Sequence, residues 1–266
     1  MRTLRRKTRV SMRSLTLGRG SIFVVTDAAH IHQIEALTDR LLKQHNPTPL
    51  GRWQLEHRLL RSTDAPATTD PKAQPRCQDF LTLSHHGGRA FVAIDGAAPT
   101  SSSNSTDTGT SAGARIADAV IAVPVTQRDA LFALVENKMA ALWTTRMRLG
   151  VPSGGAYDAG AYVVRLGELK QMAAQATMRA IVACVQSAAS EVSGGASATT
   201  ATAKSNGDAA NGADEQGNNM KTKEAVRSFW KSFGVDGAKE YFYIPTENDD
   251  GFGEVRLWCE VLRLRP

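Results

Sequence analysis

From Gly51 to Arg61 the chain alternates strictly, placing Trp53, Leu55, His57 and Leu59 on one face of an extended strand and Glu56 and Arg58 on the other. A two-faced run of this kind reads as a half-buried sheet edge rather than a catalytic loop. Ser21-Ile22-Phe23-Val24-Val25 is apolar almost throughout and reads as a buried strand. The period then changes to that of a helix. Ile31, Ile34, Leu37 and Leu41 share one face over about residues 28–45, with Asp27 as an expected cap and Asn46-Pro47 as the stop. Strands are expected at about 52–60, 79–85 and 89–95, the last two joined through His86-Gly87-Gly88.

The second half repeats this order. A strand at 119–123 precedes a helix opened by a Thr126/Asp129 capping box, with a stripe of Leu131, Val135, Met139 and Leu142. Strands follow at 145–151, 157–166 and 177–185, with Pro152-Ser153-Gly154-Gly155 as the expected turn between the first two. Each half is therefore β-α-β-β-β, without detectable sequence repetition. Beyond it, 224–234 reads as a docked helix carrying Val226, Phe229, Trp230 and Phe233. Residues 241–244 and 254–264 read as a hairpin around Asn248-Asp249-Asp250-Gly251. The expected fold class is α+β, with the doubled β-α-β-β-β order forming a curved antiparallel sheet or partly closed barrel.

Composition then divides the chain. Segments 63–74, 97–114 and 187–221 are rich in Pro, Thr, Ser, Gly and Ala and poor in large apolar residues, so they are expected to be mobile loops within a single α+β domain over 21–266. The formal charge is +6, yet residues 1–20 alone hold seven Arg and Lys and no acid, which leaves −1 for the rest. The basic character belongs to a disordered tail, and the body offers no general phosphate-binding field. That tail reads as a solvated or nuclear-import segment, although a mitochondrial transit peptide shares its composition. No apolar run is long enough to suggest a membrane span. Cys77, Cys184 and Cys259 are odd in number and widely spaced, and read as free thiols, with Cys184 and Cys259 in strand-like surroundings.

Candidate chemistry is sparse. His30 and His32 point apart on a helix, His85 and His86 point to opposite faces of a strand, and no neighbouring Cys, Asp or Glu completes a metal set. His57 reads as a packed, hydrogen-bonded histidine, because no Ser or Cys is placed for it to activate. The Gly-Gly pairs lack a following helix-opening Gly-Lys-Ser/Thr signature, so they are turns rather than phosphate loops. Arg146, Arg148 and Arg165 suggest a polar stripe on neighbouring strands. No catalytic residue, cofactor or metal is expected.

Gly51–Arg61, Phe80-Leu81-Thr82-Leu83-Ser84-His85 and Tyr157–Gln171 occur in the order and spacing of Mediator subunit 20 of the fungal type, and over about 21–185 the chain resembles that family. The resemblance implies a fold similar to the TATA-binding protein and a non-catalytic structural subunit of the Mediator head module. Such a subunit is a nuclear coactivator of RNA polymerase II transcription. It also implies a direct heterodimer with Mediator subunit 18, beside subunit 8 and the rest of the head module, and only an indirect link to the polymerase. Trp53, Arg58, Tyr157, Asp158 and Arg165, large polar-tipped residues on sheet segments, are the expected partner surface. The alternative is a free nucleic-acid-binding module of the same fold, which would need a basic concave sheet with apolar wedges. The near-neutral body speaks against it, so direct DNA binding is not expected.

Overall fold

The computed structural model describes residues 20–27, 33–63, 76–95, 119–188, 211–243 and 252–263, with the backbone alone for 211–219. The elements are β1 (Gly20–Val25), α1 (Ile34–His45), β2 (Thr48–Ser62), β3 (Cys77–Leu83), a 3-10 turn (Ser84–His86), β4 (Arg89–Ile94), β5 (Ala119–Pro124), α2 (Val125–Lys138), β6 (Trp143–Asp158), β7 (Tyr162–Gln171), β8 (Thr177–Ser187), α3 (Asn211–Lys231), β9 (Lys239–Tyr243) and α4 (Gly253–Leu262). The expected tail at 1–20 and the loops at 63–74 and 97–114 fall almost wholly outside the described residues, as do Ile31 and the His30/His32 pair.

The strands form one antiparallel sheet in the order β5-β4-β3-β2-β6-β7-β8-β1-β9. The doubled β-α-β-β-β order explains it. Exchanging β1 with β5, β2 with β6, β3 with β7 and β4 with β8 returns the same order reversed, so the halves are related by a two-fold axis between β2 and β6. Each half lends its first strand to the other half's outer edge, β1 beside β8 and β5 beside β4. β9 extends beyond β1 and has no counterpart among the described residues. The fold class is the expected one, α+β with a curved antiparallel sheet, and the sheet stays open.

Several local expectations are corrected. β2 is central rather than an edge, because β6 pairs along most of its length. The extra residue at the Leu59/Leu60 register shift is Arg146 of β6, so β2 keeps its alternation: Leu60 is buried on the face opposite Trp53, Leu55 and His57, and Leu59 is only partly covered. Pro152–Gly155 is not a turn. β6 runs through it as a bulge, with one extra residue against both β2 and β7, and the chain reverses at 159–161 instead. A bulge accommodates Pro152, which has no N–H to give a ladder.

α1 opens at Gln33 without a side-chain cap, so Asp27 does not cap it, while Asn46 ends it in the left-handed conformation at φ 40°. α2 opens at Pro124, again without a side-chain cap, and the Thr126/Asp129 box is not made. Its buried positions are Phe132 and Val135, whereas Met139 and Leu142 lie beyond the helix and are exposed. α3 begins at Asn211, inside the stretch read as a loop, where Ala, Glu, Gln, Met and Lys are good helix formers. The expected strand at 254–264 is the helix α4, which places Cys259 on a helix and removes the C-terminal hairpin.

Three helices cover one face of the sheet. α3 docks through Val226, Phe229, Trp230 and Phe233 as its spacing predicts, and Trp230 stacks on Phe23 of β1 with ring centroids 4.5 Å apart. α1 adds Leu37 and Leu41 to that cluster, and α2 packs Phe132 and Val135 on Leu60, Phe80 and Val92. Among the described residues the opposite face holds α4 alone. This ten-residue helix, about 15 Å long, packs against β9 on one side and β3 and β4 on the other. In a flat sheet β9 and β3 would stand about 29 Å apart. The sheet therefore wraps around α4, and the face that receives it is concave.

At the centre of that face the Trp53 indole, 1% exposed, lies against Trp258 of α4 at 5.9 Å between ring centroids. Glycines make the notch for it. A Cβ on Gly154 would stand 2.8 Å from Trp53 Cε3 and 2.8 Å from the Leu166 carbonyl oxygen. Gly154→Ala should lower stability by about 1–3 kcal/mol through overpacking, read as a lower urea midpoint at unchanged slope. An unchanged midpoint would show that the notch has room to spare.

Candidate functional site

The polar groups buried in the concave face gather at the two ends of α4. At its start, Glu254 is 2% exposed. Its Oε1 accepts from His85 Nε2 at 3.0 Å and from Trp258 Nε1 at 3.2 Å, and its Oε2 accepts from His86 Nε2 at 3.2 Å. Trp53 Nε1 donates to His85 Nδ1 at 3.3 Å. An indole can only donate, so His85 carries its proton on Nε2 and turns it toward the carboxylate. His85 and His86 converge because residues 84–86 form a 3-10 turn rather than the strand that the sequence suggested. That turn, and the distant Glu254, are what local spacing could not reveal.

At the other end, Arg263 donates to both Asp79 and Asp95, at 2.7 Å to Asp95 Oδ1. His57 Nε2 lies 2.9 Å from Asp79 Oδ1 and is fully buried, the packed histidine its pattern predicts. Its Nδ1 has no partner among the described residues.

Burial raises the Glu254 carboxyl pKa, but the hydrogen bonds from His85 and His86 outweigh it and hold the group well below the usual carboxylate range. Asp79 follows the same balance, burial opposing the bonds from His57 and Arg263, and is also lowered. For His85, burial depresses the pKa more than Glu254 raises it, with Arg165 and His86 adding to the depression. His85 is thus a neutral donor near pH 7, and its contact with Glu254 is a charge-assisted hydrogen bond rather than an ion pair.

The possible chemistry of this cluster is narrow. His85, His86 and Glu254 have ligand atoms within 4.8 Å of one another, a donor set of the kind that holds zinc. A cation on His85 Nε2 would move the proton to Nδ1, where it would face the Trp53 N–H, so the set is closed as a hydrogen-bond network. Burial also pushes the Cys184 thiol up to about 12 and raises Cys259 well above its ordinary value, which removes both as nucleophiles.

The five expected surface residues do not form one patch. Trp53 is buried under α4, and Arg165, 3% exposed, donates to Gln186 inside the concave face, so neither lies on the exposed surface and Arg165 joins no stripe with Arg146 and Arg148. The alternation rule could not tell an inward from an outward position once both sheet faces were covered. Arg58 is partly exposed, pairs with Glu56, lies 3.8 Å over the Phe132 ring and lines a groove of about 910 Å³ beside α2. Tyr157 lines a second groove of about 450 Å³ beside α1, with Leu42 and Glu168. Asp158 accepts from the Gly160 N–H at 2.9 Å and fastens the turn into β7. Pro49 faces Tyr157 in the β2/β6 ladder and Arg58 lies nine residues further along β2, so the two are about 30 Å apart.

The family model described as "TATA-binding related factor (TRF) of subunit 20 of Mediator complex" matches residues 21–256. No curated protein sequence matches the chain. A solved structure, the PH1819 protein from Pyrococcus horikoshii OT3, is similar over 92% of this chain and 98% of its own, at 9% identity. Its TM-score of 0.38 is too low to carry an argument.

Glu254→Gln should cost about 3 kcal/mol at pH 7, because it leaves a buried hydrogen-bond set without its charge. In the native protein the depressed His85 pKa contributes stability above its ordinary value of 6.5 that is lost as pH falls below it. The depressed Glu254 and Asp79 pKa values act alike, below 4.5 and 3.8. Melting temperature should therefore fall on acidification in two stages, with the second shallower in Glu254→Gln. A flat profile from pH 7 to pH 3 would contradict the clamp.

Proposed function

The chain belongs to the family of TATA-binding related factors of Mediator subunit 20, and from that premise we propose that it is a non-catalytic structural subunit of the Mediator head module. In this reading it works in the nucleus as a coactivator of RNA polymerase II transcription. It pairs directly with Mediator subunit 18, sits beside subunit 8, and reaches the polymerase only through the assembly. The observation that carries the reading is the family match across 21–256. The buried groups agree with it, since the titratable residues of the concave face are spent on holding α4 and the two buried thiols are strongly protonated.

The free nucleic-acid-binding alternative is weakened by α4. A TATA-binding-protein-like reader presents its concave sheet to the minor groove and wedges apolar side chains between base steps. In this chain Trp53, Leu55 and Phe91 of that face are covered and belong to the same core as Val255, Trp258 and Leu262 of α4.

Co-expression with subunit 18 of the same source should yield a stable one-to-one complex on size exclusion and raise the solubility of this chain. Two separate monomers at micromolar concentration would overturn the pairing. Duplex DNA affinity that survived deletion of residues 1–19 and fell steeply with salt would favour the alternative.

A further inference from the structure

The two-fold relation between the halves leaves one position unfilled. β1 and β5 are equivalent strands, yet β1 is flanked by β8 and β9 whereas β5 is flanked by β4 alone among the described residues. The two outer strands also differ in chemistry. β9 reads Lys-Glu-Tyr-Phe-Tyr, with the charges that blunt an exposed edge. β5 reads Ala-Val-Ile-Ala-Val-Pro, with no charge at all, and its Ile121 is 53% exposed. A long uncharged edge of this kind is a template for another strand.

The backbone groups it offers can be assigned. Val125 N–H donates to the Gly88 carbonyl oxygen at 2.7 Å, and the register continues as Pro124 opposite Arg89 through Ala119 opposite Ile94. In an antiparallel ladder such exchanges fall on alternate residues. Val123, Ile121 and Ala119 therefore turn their N–H and C=O toward β4. Val120 and Ala122 turn both groups outward, and Pro124 turns its carbonyl outward. Val120 and Ala122 seat their side chains on the concave core and Val123 seats its own on the α2 side, so the strand is held flat on both faces while no strand among the described residues pairs with its outer edge.

We propose that the edge of β5 is the docking site for an extended strand of the heterodimer partner, completing in trans the place that β9 fills beside β1. The occupant is a strand with an apolar residue facing Ile121 and with backbone groups that pair with Val120 and Ala122. This rests on the pairing with subunit 18 argued above and locates its contact.

The orientation of the amides provides a selective test. Ala122→Pro removes an outward N–H and puts a ring in the path of an added strand, without touching the β4 ladder. Val123→Pro, one residue on, breaks that ladder and serves as the destabilised control. With the full chain and subunit 18, the wild type should bind and Ala122→Pro should lose about tenfold or more in affinity while keeping its cooperative melt. Amide exchange at Val120 and Ala122 should slow in the wild-type complex.

Unchanged binding by Ala122→Pro, or exchange at those two amides as fast in the complex as in the free chain, overturns the edge while leaving the pairing in place. If Ala122→Pro does not fold, the exchange of the wild-type pair decides alone. Failure of the wild type to bind overturns both readings. A self-dimer of this chain abolished by Ala122→Pro would show that the occupant is a second copy, against the proposal.

Discussion

The structure depends on keeping α4 in the concave face of the sheet. Nine strands in one open antiparallel layer would otherwise expose Trp53, Leu55, Leu83, Phe91 and Leu149 to water on that side. α4 covers them with Val255, Trp258, Val261 and Leu262, each essentially inaccessible, and each such side chain is worth roughly 1.5–3 kcal/mol when buried. Apolar contact would tolerate a range of rotations about the helix axis. The Glu254 carboxylate among His85, His86 and the Trp258 indole, and the Arg263 fork between Asp79 and Asp95, admit only one. Both clamps join α4 to the first half of the chain.

This packing also separates the chain from a nucleic-acid reader built on the same plan. A sheet face that serves as a saddle has to stay open and apolar, and a basic field has to surround it. In this chain the face is filled, carries buried carboxylates, and leaves surface chemistry to the helix side and the strand edges. In this chain the doubled β-α-β-β-β order thus carries a filled concave face and two chemically unequal outer strands.

Much of the fold was legible in the pattern along the chain. The doubled element order, the docking face of α3 and the shared face of Trp53, Leu55 and His57 all followed from period. What failed has identifiable physical causes. The segment at 254–264 carries Leu257-Trp258-Cys259 and Val261-Leu262 as short apolar runs between charged residues, and apolar runs this short do not separate a docked helix from a strand. Gly154 and Gly155 read as turn residues, although their lack of a Cβ serves the rings of Trp53 and Tyr157. The polar clamp was out of reach, since His85 and Glu254 are 169 residues apart and meet only after the sheet has curled. The expected partner surface lost Trp53 and Arg165 for the same reason, because their outward reading presumed one solvated face.

The central claim, that α4 is part of the cooperative core and not an appendage laid on it, is tested most directly by native-state amide hydrogen exchange resolved by residue. The account predicts that amides at Trp258, Cys259, Val261 and Leu262 exchange only through global unfolding, with the same free energy and denaturant dependence as Ile181–Val185 of β8. Exchange from α4 at a much lower free energy, through a local opening that leaves β8 protected, would contradict it.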